Sequence, residues 1–338
     1  MSVQYNVAVV GAGGYTGVEL IKILLDHPHF NLAYLSSSQG GEEISDLYPA
    51  LKGVFSYKLK KTDVKEIADT CDLAFLALPH KNAMEVAKPL LDLGVKVVDL
   101  SADYRLRLEN YEAFYTRHSD NEHLKEAVYG LVEIYKDEIQ KARLIANPGC
   151  YPTATLLALI PFLPYIESRH SLIIDAKSGV SGAGKKCSQK THYVSINENI
   201  FAYNPLKHRH AIEIKEKLEL LGKEIYHINF VPHLLPLTRG MLVSIYAQLQ
   251  TDIDPLEVLE DFYANEEFIR IKREPVDVKS VAGTHFCDIY AQKHGNTLFI
   301  SSAIDNLLRG ASSQAVANAN LMMGLDASIA MPKIAAIP

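Results

Sequence analysis

A short apolar strand that runs into a glycine-rich turn and then into a helix constrains this chain more than any other segment. Asn6–Val10 (NVAVV) has the unbroken apolar character of a strand buried on both faces. Gly11-Ala12-Gly13-Gly14-Tyr15-Thr16-Gly17 follows, and Val18–Asp26 (VELIKILLD) reads as the helix. In a parallel α/β sheet this order lets backbone amides meet a pyrophosphate. The glycines permit a tight turn and close approach, and the helix N-terminus attracts the anion. The spacing is GxxGxxG over Gly11, Gly14 and Gly17. Gly11, Gly13, Gly14, Tyr15, Thr16 and Gly17 are therefore the expected dinucleotide contacts.

Further strand–helix units continue the pattern. Asn31–Ser36 (NLAYLS) ends in Ser36-Ser37-Ser38-Gln39, where an NAD site places a carboxylate for the ribose 2′-hydroxyl. Hydroxyls there remove the repulsion against a 2′-phosphate and point to NADP, with Ser36 and Ser38 as contacts. Asp72–Leu78 is a strand ending at Leu78-Pro79-His80, followed by a helix over Asn82–Leu93. Lys96–Leu100 is a strand that opens into Ser101 and Arg105. Ligands of such sheets collect at the carboxyl ends of strands. Leu78, Pro79 and Ser101 are expected at the cofactor and Arg105 at the substrate. Ser36, His80, Ser101, Arg105 and Cys150 are expected in one crevice.

The octapeptide Asn147-Pro148-Gly149-Cys150-Tyr151-Pro152-Thr153-Ala154 sets one cysteine between a strand, Ala142–Ala146, and a helical segment read as Thr153–Leu163. Unpaired amides and the positive end of the macrodipole favour a thiolate there. Gly149 allows the sharp turn and Pro152 suits the first helical position. Cys150 is the expected nucleophile.

Ser171–Lys177 is the next strand, leading into the Gly/Ser loop Ser178–Lys186, whose two lysines suit a phosphate or a cofactor ribose-phosphate. Lys207-His208-Arg209-His210 then precedes the helical run Lys215–Leu221. A histidine near the thiol can take and return its proton, and Arg209 suits a carboxylate. No third ligand at a metal-like spacing accompanies the two histidines, so no metal is expected. Ile225–Val231, Met241–Gln250, Phe286–Gln292 and Thr297–Ala303 alternate or are β-branched and read as strands, interrupted by a helix at Pro255–Ala264. Asn306–Met323 reads as a closing helix rich in small residues.

The expected fold class is α/β. A Rossmann-type dinucleotide-binding domain spans 1–148 and is completed by the helix-bearing segment 306–338. An α+β catalytic and oligomerisation domain with a mixed, largely antiparallel sheet spans 149–305. The 338 residues suit two domains. A net charge of −6, with no basic stripe interleaved by aromatics, argues against a nucleic-acid partner. Four scattered cysteines without a CxxC pair fit a reducing compartment. The N-terminus lacks a basic signal-peptide region. The long uncharged run Ile145–Ile166 is broken by Pro148, Pro152, Pro161 and Pro164, so no membrane span is expected. The chain reads as cytoplasmic.

A nucleotide fold, a nucleophilic cysteine and a histidine base suggest a phosphorylating aldehyde dehydrogenase. At this level the octapeptide, Gly11–Gly17 and His208-Arg209-His210 resemble the N-acetyl-gamma-glutamyl-phosphate reductase family of arginine biosynthesis. Tyr129-Gly130-Leu131-Val132-Glu133 and Phe230-Val231-Pro232-His233-Leu234-Leu235-Pro236 do so too. The resemblance covers essentially the whole chain. It implies a glyceraldehyde-phosphate/aspartate-semialdehyde dehydrogenase-like architecture and NADPH-dependent reduction of N-acetylglutamyl 5-phosphate to the 5-semialdehyde and phosphate. It further implies a thioester at Cys150 and an acid/base at His210, the second histidine of the family's HRHxPEI pattern; His208 stands as the alternative base. Ile212 replaces the proline of that pattern, and Gly13 stands where Ser or Thr is common. Gly182 and Asn306 are expected near the nicotinamide, and Asn147, Ser178 and Arg209 at the substrate. A homodimer or homotetramer is expected. The rival readings are the same chemistry on aspartyl phosphate or an aminoadipyl phosphate derivative, and a non-catalytic NADP-binding sensor.

Overall fold

The computed structural model of the chain describes residues 3–335, which form two compact units. The first comprises residues 3–148 together with Ala311–Met331; the second comprises Gly149–Gly310 and residues 332–335. The break near the C-terminus thus falls at Gly310/Ala311 instead of 305/306, and residues 332–335 go with the second unit.

The first unit holds strands β1 (Tyr5–Val10), β2 (Phe30–Ser37), β3 (Lys60–Lys61), β4 (Leu73–Leu76), β5 (Lys96–Asp99), β6 (Val128–Tyr129) and β7 (Leu144–Ala146). They lie in the order β3-β2-β1-β4-β5-β7-β6, and every pair is parallel. Val7–Val10 and Leu73–Leu76 have no exposed surface, which is why both central strands are unbroken apolar runs. The crossovers carry α1 (Tyr15–Leu25), α2 (Ile44–Leu47), α3 (Val64–Thr70), α4 (Ala83–Asp92), α5 (Leu108–Phe114), α6 (Asn121–Glu126) and α7 (Val132–Lys141). Strand order reverses between β1 and β4, so the glycine turn after β1 sits at the topological switch point where such sheets bind ligands.

The second unit begins with α8 (Cys150–Leu159) and holds β8 (Leu172–Gly179), α9 (Tyr193–Ile196), β9 (Phe201–Ala202), α10 (His210–Gly222), β10 (Ile228–Leu235), β11 (Met241–Gln248), α11 (Pro255–Phe262), β12 (Ile269–Ile271), β13 (Cys287–His294) and β14 (Thr297–Ile304). Its sheet runs β12-β13-β14-β11-β8-β10-β9; β12–β13 and β8–β10 pair in parallel and the other neighbours antiparallel. One face is core: Ile174, Ala176, Val243, Ile245 and Ile300 have no exposed surface, and α8, packed on β11 and β14, is buried from Tyr151 through Leu159. The opposite face exposes Ile173 and Tyr246, which are register partners.

The first unit closes with α12 (Ser313–Met322), buried along its whole length although Gln314, Asn318 and Asn320 lie on it. Each amide has a partner for at least one of its polar atoms. Gln314 and Asn318 donate to the Gly130 carbonyl at 2.7 and 2.9 Å, and Asn320 meets the His27 ring at 2.9 Å. A Cβ on Gly130 would lie 2.3 Å from Asn318 Nδ2, so the Tyr129-Gly130-Leu131 segment is glycine because α12 packs on it. The closing helix expected over Asn306–Met323 is in fact a π-helical turn, Leu308–Ser312, followed by α12.

Candidate active site

The cysteine turn is tighter than the sequence reading had it. Gly149 is the extended N-cap of α8 (φ −67°, ψ 153°), so Cys150 is the first helical residue and Pro152 the third. The expectation of a helix starting at Thr153 failed because proline was assigned to the first position. The third amide is also an orphan at a helix start, so proline is equally welcome there. The thiol therefore sits inside the first turn, with neither an acid nor a base among the neighbouring helix residues of that turn. Cys150 is partly exposed, unlike the rest of α8.

Helix α10 is tied directly to this turn. The Gly149 N–H donates to the buried Glu213 carboxylate at 2.9 Å. Glu213 lies three residues after His210, on the same helical face, so the face carrying His210 is turned to the cysteine loop. Tyr151 reinforces the arrangement, its ring lying edge-on to His208 at 5.7 Å, His210 at 5.8 Å and Phe230 at 5.3 Å. The Tyr151 and Tyr203 hydroxyls meet at 3.0 Å. His210 opens α10 and did not lie on the expected preceding loop; Ile212 in the proline position does not prevent the helix from starting there.

The two histidines differ electrostatically. Burial, and then the charge of Arg209, lower the His208 pKa to about 4. Its Nδ1 also accepts the His210 N–H at 3.2 Å. His208 is held neutral with one ring nitrogen engaged, which suits a structural brace and not a proton carrier. Arg209 between them is exposed.

A buried aspartate missed by the sequence reading builds the other wall. Asp305, with no exposed surface, accepts the amides of Gly283, Leu307 and Leu308 at 2.7, 2.8 and 2.9 Å and pairs with Arg239 at 3.2 Å. Its carbonyl accepts the Gly310 N–H at 2.9 Å. Gly310 is thereby fixed where a Cβ would lie 2.7 Å from Cys150 Cβ. The π-helical turn brings this glycine against Cys150, and such turns are frequent at functional sites. Asn306 is buried beside it, with its amide donating to Ser181 Oγ (3.0 Å) and accepting the Gly240 N–H (2.6 Å). Ser178 is buried, its hydroxyl on the Gly179 carbonyl at 3.1 Å, and Gly182 is exposed on the loop beyond.

In the first unit, Gly11 has φ 91°, and a Cβ there would lie 2.3 Å from the Ala77 carbonyl oxygen. The Gly11 and Ala12 amides both reach the Ser36 carbonyl at 2.9 Å, pinning the turn to the end of β2. Helix α1 starts at an extended Gly14 (φ −85°, ψ 169°), with no side-chain cap and no acid in its first turn. That first turn, Tyr15-Thr16-Gly17, fits an anionic pyrophosphate. Ser36 is buried, its hydroxyl on Thr62, whereas Ser38 is exposed. Leu78 and Pro79 follow β4 and Ser101 follows β5, the last donating to Asp99 at 2.8 Å. Asp99 is fully buried, and desolvation with the nearby Asp103 charge raises its pKa to about 7. Arg105 is buried and donates to the carbonyls of Asn147 and Leu100, both at 2.7 Å, bracing the end of β5 against β7. Asn147, also buried, bonds the Ala311 carbonyl and Asn318 at 3.1 and 3.0 Å. Among the described residues no group of three or more His, Cys, Asp or Glu is placed to hold a metal ion, and no helix is long and apolar enough to cross a membrane.

Two family models match the chain: the semialdehyde dehydrogenase NAD-binding domain over residues 6–142 and the semialdehyde dehydrogenase dimerisation domain over residues 150–306. N-acetyl-gamma-glutamyl-phosphate reductase from Sulfurovum sp. is 61% identical over 333 residues, 98% of this chain and 99% of the relative. The protein of that name from Wolinella succinogenes is 59% identical over 98% of both chains, and that from Geobacillus sp. 42% identical over 95% of this chain and 96% of its own. Among solved structures, aspartate semialdehyde dehydrogenase II from Vibrio cholerae superposes with a TM-score of 0.72 at 18% identity, covering 96% of this chain and 99% of that one. At that identity the likeness speaks for the fold alone.

Proposed function

The chain belongs to the N-acetyl-gamma-glutamyl-phosphate reductase family, and from that premise we propose that Cys150 and His210 carry its reaction. It is an NADP(H)-dependent oxidoreductase that reduces N-acetylglutamyl 5-phosphate to N-acetylglutamate 5-semialdehyde and phosphate, as in arginine biosynthesis. The Gly149–Glu213 hydrogen bond carries the proposal, because it turns the face of α10 that bears His210 towards the helix start that bears the thiol.

His210 takes the thiol proton, and the Cys150 sulfur attacks the acyl carbon. His210 then gives that proton to the departing phosphate oxygen, leaving a thioester on Cys150. NADPH, when bound at the Gly11–Gly17 turn, would supply the hydride for reduction of this thioester. First-turn amides of α8 stabilise the oxyanion that forms, with assistance from His210. Collapse expels the aldehyde and returns the thiolate, which regains its proton when His210, left neutral by the departing phosphate, takes one up from solvent between turnovers. The glycine turn with α1 would hold the pyrophosphate, and exposed Arg209 is the candidate for the substrate carboxylate. Arg105 and Asn147 act by bracing the sheet ends, given their buried main-chain partners.

A second copy of the chain is proposed to dock on the open face of the second sheet. Ile173 and Tyr246 are exposed there, beside a cavity of about 400 Å³ lined by Asp175, Ile200, His233 and Leu237 among others, within the segment matched by the dimerisation-domain model. Light scattering of the purified protein checks this, and a monomer at micromolar concentration would refute it. The decisive assay for the chemistry follows NADPH formation from N-acetylglutamate 5-semialdehyde, NADP and phosphate. Wild type should turn over only with phosphate, and Cys150→Ala should lose at least about 10⁴-fold in kcat while NADP binding persists. A wild-type protein that binds NADP yet is inert with this substrate sinks the substrate assignment in favour of another acyl phosphate or a sensor.

A further inference from the structure

The end of β2 poses a problem that the sequence left open. Ser37, Ser38 and Gln39 remove a carboxylate from the adenosine ribose but supply no positive charge, and a 2′-phosphate calls for one. The two-residue strand β3 supplies it. Its register places Lys60 beside Ser36 and Lys61 beside Ser37.

Successive side chains of a strand leave on opposite faces, so the two lysines are separated. Lys60 pairs with Glu66 and lies over the Tyr34 ring at 5.1 Å. Lys61 leaves on the face of Ser37 and is exposed. Its backbone is held from two directions. The Tyr34 hydroxyl donates to the Lys61 carbonyl at 2.8 Å, and that hydroxyl accepts the Asp63 amide at 3.0 Å. Gly40, at φ 70°, packs so closely that a Cβ would lie 2.4 Å from the Lys61 nitrogen. The neighbouring acids have partners within the protein: Glu42 accepts the Ser37 hydroxyl at 3.0 Å, Asp63 caps α3, and Glu66 holds Lys60.

We infer that Lys61 is the cationic partner of the NADP 2′-phosphate and sets the preference for NADP over NAD. The inference rests on the NADP reading above. Glu42 is the competing feature, since a carboxylate at the end of β2 is what a ribose 2′-hydroxyl would bond.

Calorimetric titration without substrate, using NADP, NAD and adenosine 2′,5′-bisphosphate as probes, tests this on the full-length protein. Lys61→Ala should weaken NADP and the bisphosphate about tenfold to a hundredfold, the range of a lost charge-assisted contact, and leave NAD within twofold. Lys61→Arg should restore most of the affinity, and the exposed-loop control Lys52→Ala should change nothing. A Lys61→Ala protein with wild-type melting behaviour that loses NADP and NAD equally, or neither, overturns the inference. So does a Glu42→Gln variant that alone shifts the NADP/NAD ratio. A wild type that binds both cofactors equally would instead overturn the NADP reading on which the inference stands.

Discussion

Two helix starts, α1 and α8, are built alike and used differently. Both follow a parallel strand, both begin at an extended glycine without a side-chain cap, and neither has an acid in its first turn. Three helices of the chain are instead capped by aspartate, through Asp63, Asp120 and Asp254, although others too lack a side-chain cap. An uncapped N-terminus keeps its amides and its positive end for another anion. In the proposed mechanism the anion at α1 is brought in by the cofactor. At α8 it is covalently part of the helix, the sulfur of the first residue. The device is the same, and the difference lies in who supplies the charge.

The supplied groups around the two starts differ accordingly, and the largest test concerns α8. His210→Asn should reduce kcat by about 10²–10⁴-fold, the span of a lost acid/base, whereas His208→Asn should cost less than tenfold. Steady-state kinetics on both variants would reverse the assignment if His208 proved the more damaging.

Glycines make the next separation. Gly17→Ala puts a Cβ 2.4 Å from the Gly11 carbonyl, and Gly310→Ala puts one 2.7 Å from Cys150 Cβ. The first should weaken NADP binding; the second should lower kcat about a hundredfold, the cost of displacing a reacting atom by about an ångström, with NADP affinity unchanged. If Gly310→Ala loosened the cofactor as much as the reaction, the two starts would not be separable.

Much of this was readable beforehand. The parallel strands β1, β2, β4, β5 and β7, the mixed second sheet, the glycine turn and the cysteine at a helix start each rest on local patterns of apolar runs and turn residues. What escaped has one physical cause, dependence on distant partners. Strand β3 is two lysines without an apolar pattern, stabilised by register with β2 and by Tyr34. Asp305 and Glu213 look like ordinary surface acids until the amides they accept come from far along the chain. The polar α12 is buried because Gly130, His27 and Asn147 answer its amides.

Acid should also distinguish the cysteine turn. His208 is held at about 4 against an ordinary 6.5, so the folded state binds fewer protons than the unfolded one in that interval. Its contribution is fully present above pH 6.5 and declines as pH falls towards 4, amounting to a loss of about 2 kcal/mol at pH 5. His27 behaves likewise in the first unit, lowered to about 4 by burial against Phe30 and α12. Unfolding transitions at pH 7 and pH 5 should converge by that amount in His208→Asn relative to wild type. An unchanged pH dependence would show that His208 is not the buried neutral group.

Glu213 gives the smallest and most discriminating effect, because its bond and its charge act in opposite senses on the thiol. The hydrogen bond to Gly149 fixes the turn, while a carboxylate so near Cys150 disfavours the thiolate. Glu213→Gln keeps an acceptor and removes the charge. In a Cys187→Ser background, which removes the exposed thiol, its iodoacetamide reactivity should rise at lower pH than in the parent, with kcat within about tenfold. Glu213→Ala removes both, so kcat should fall further without that gain in reactivity. Were Gln and Ala alike in both measurements, Glu213 would serve packing alone, and the tie between α10 and the cysteine turn would lose its part in the chemistry.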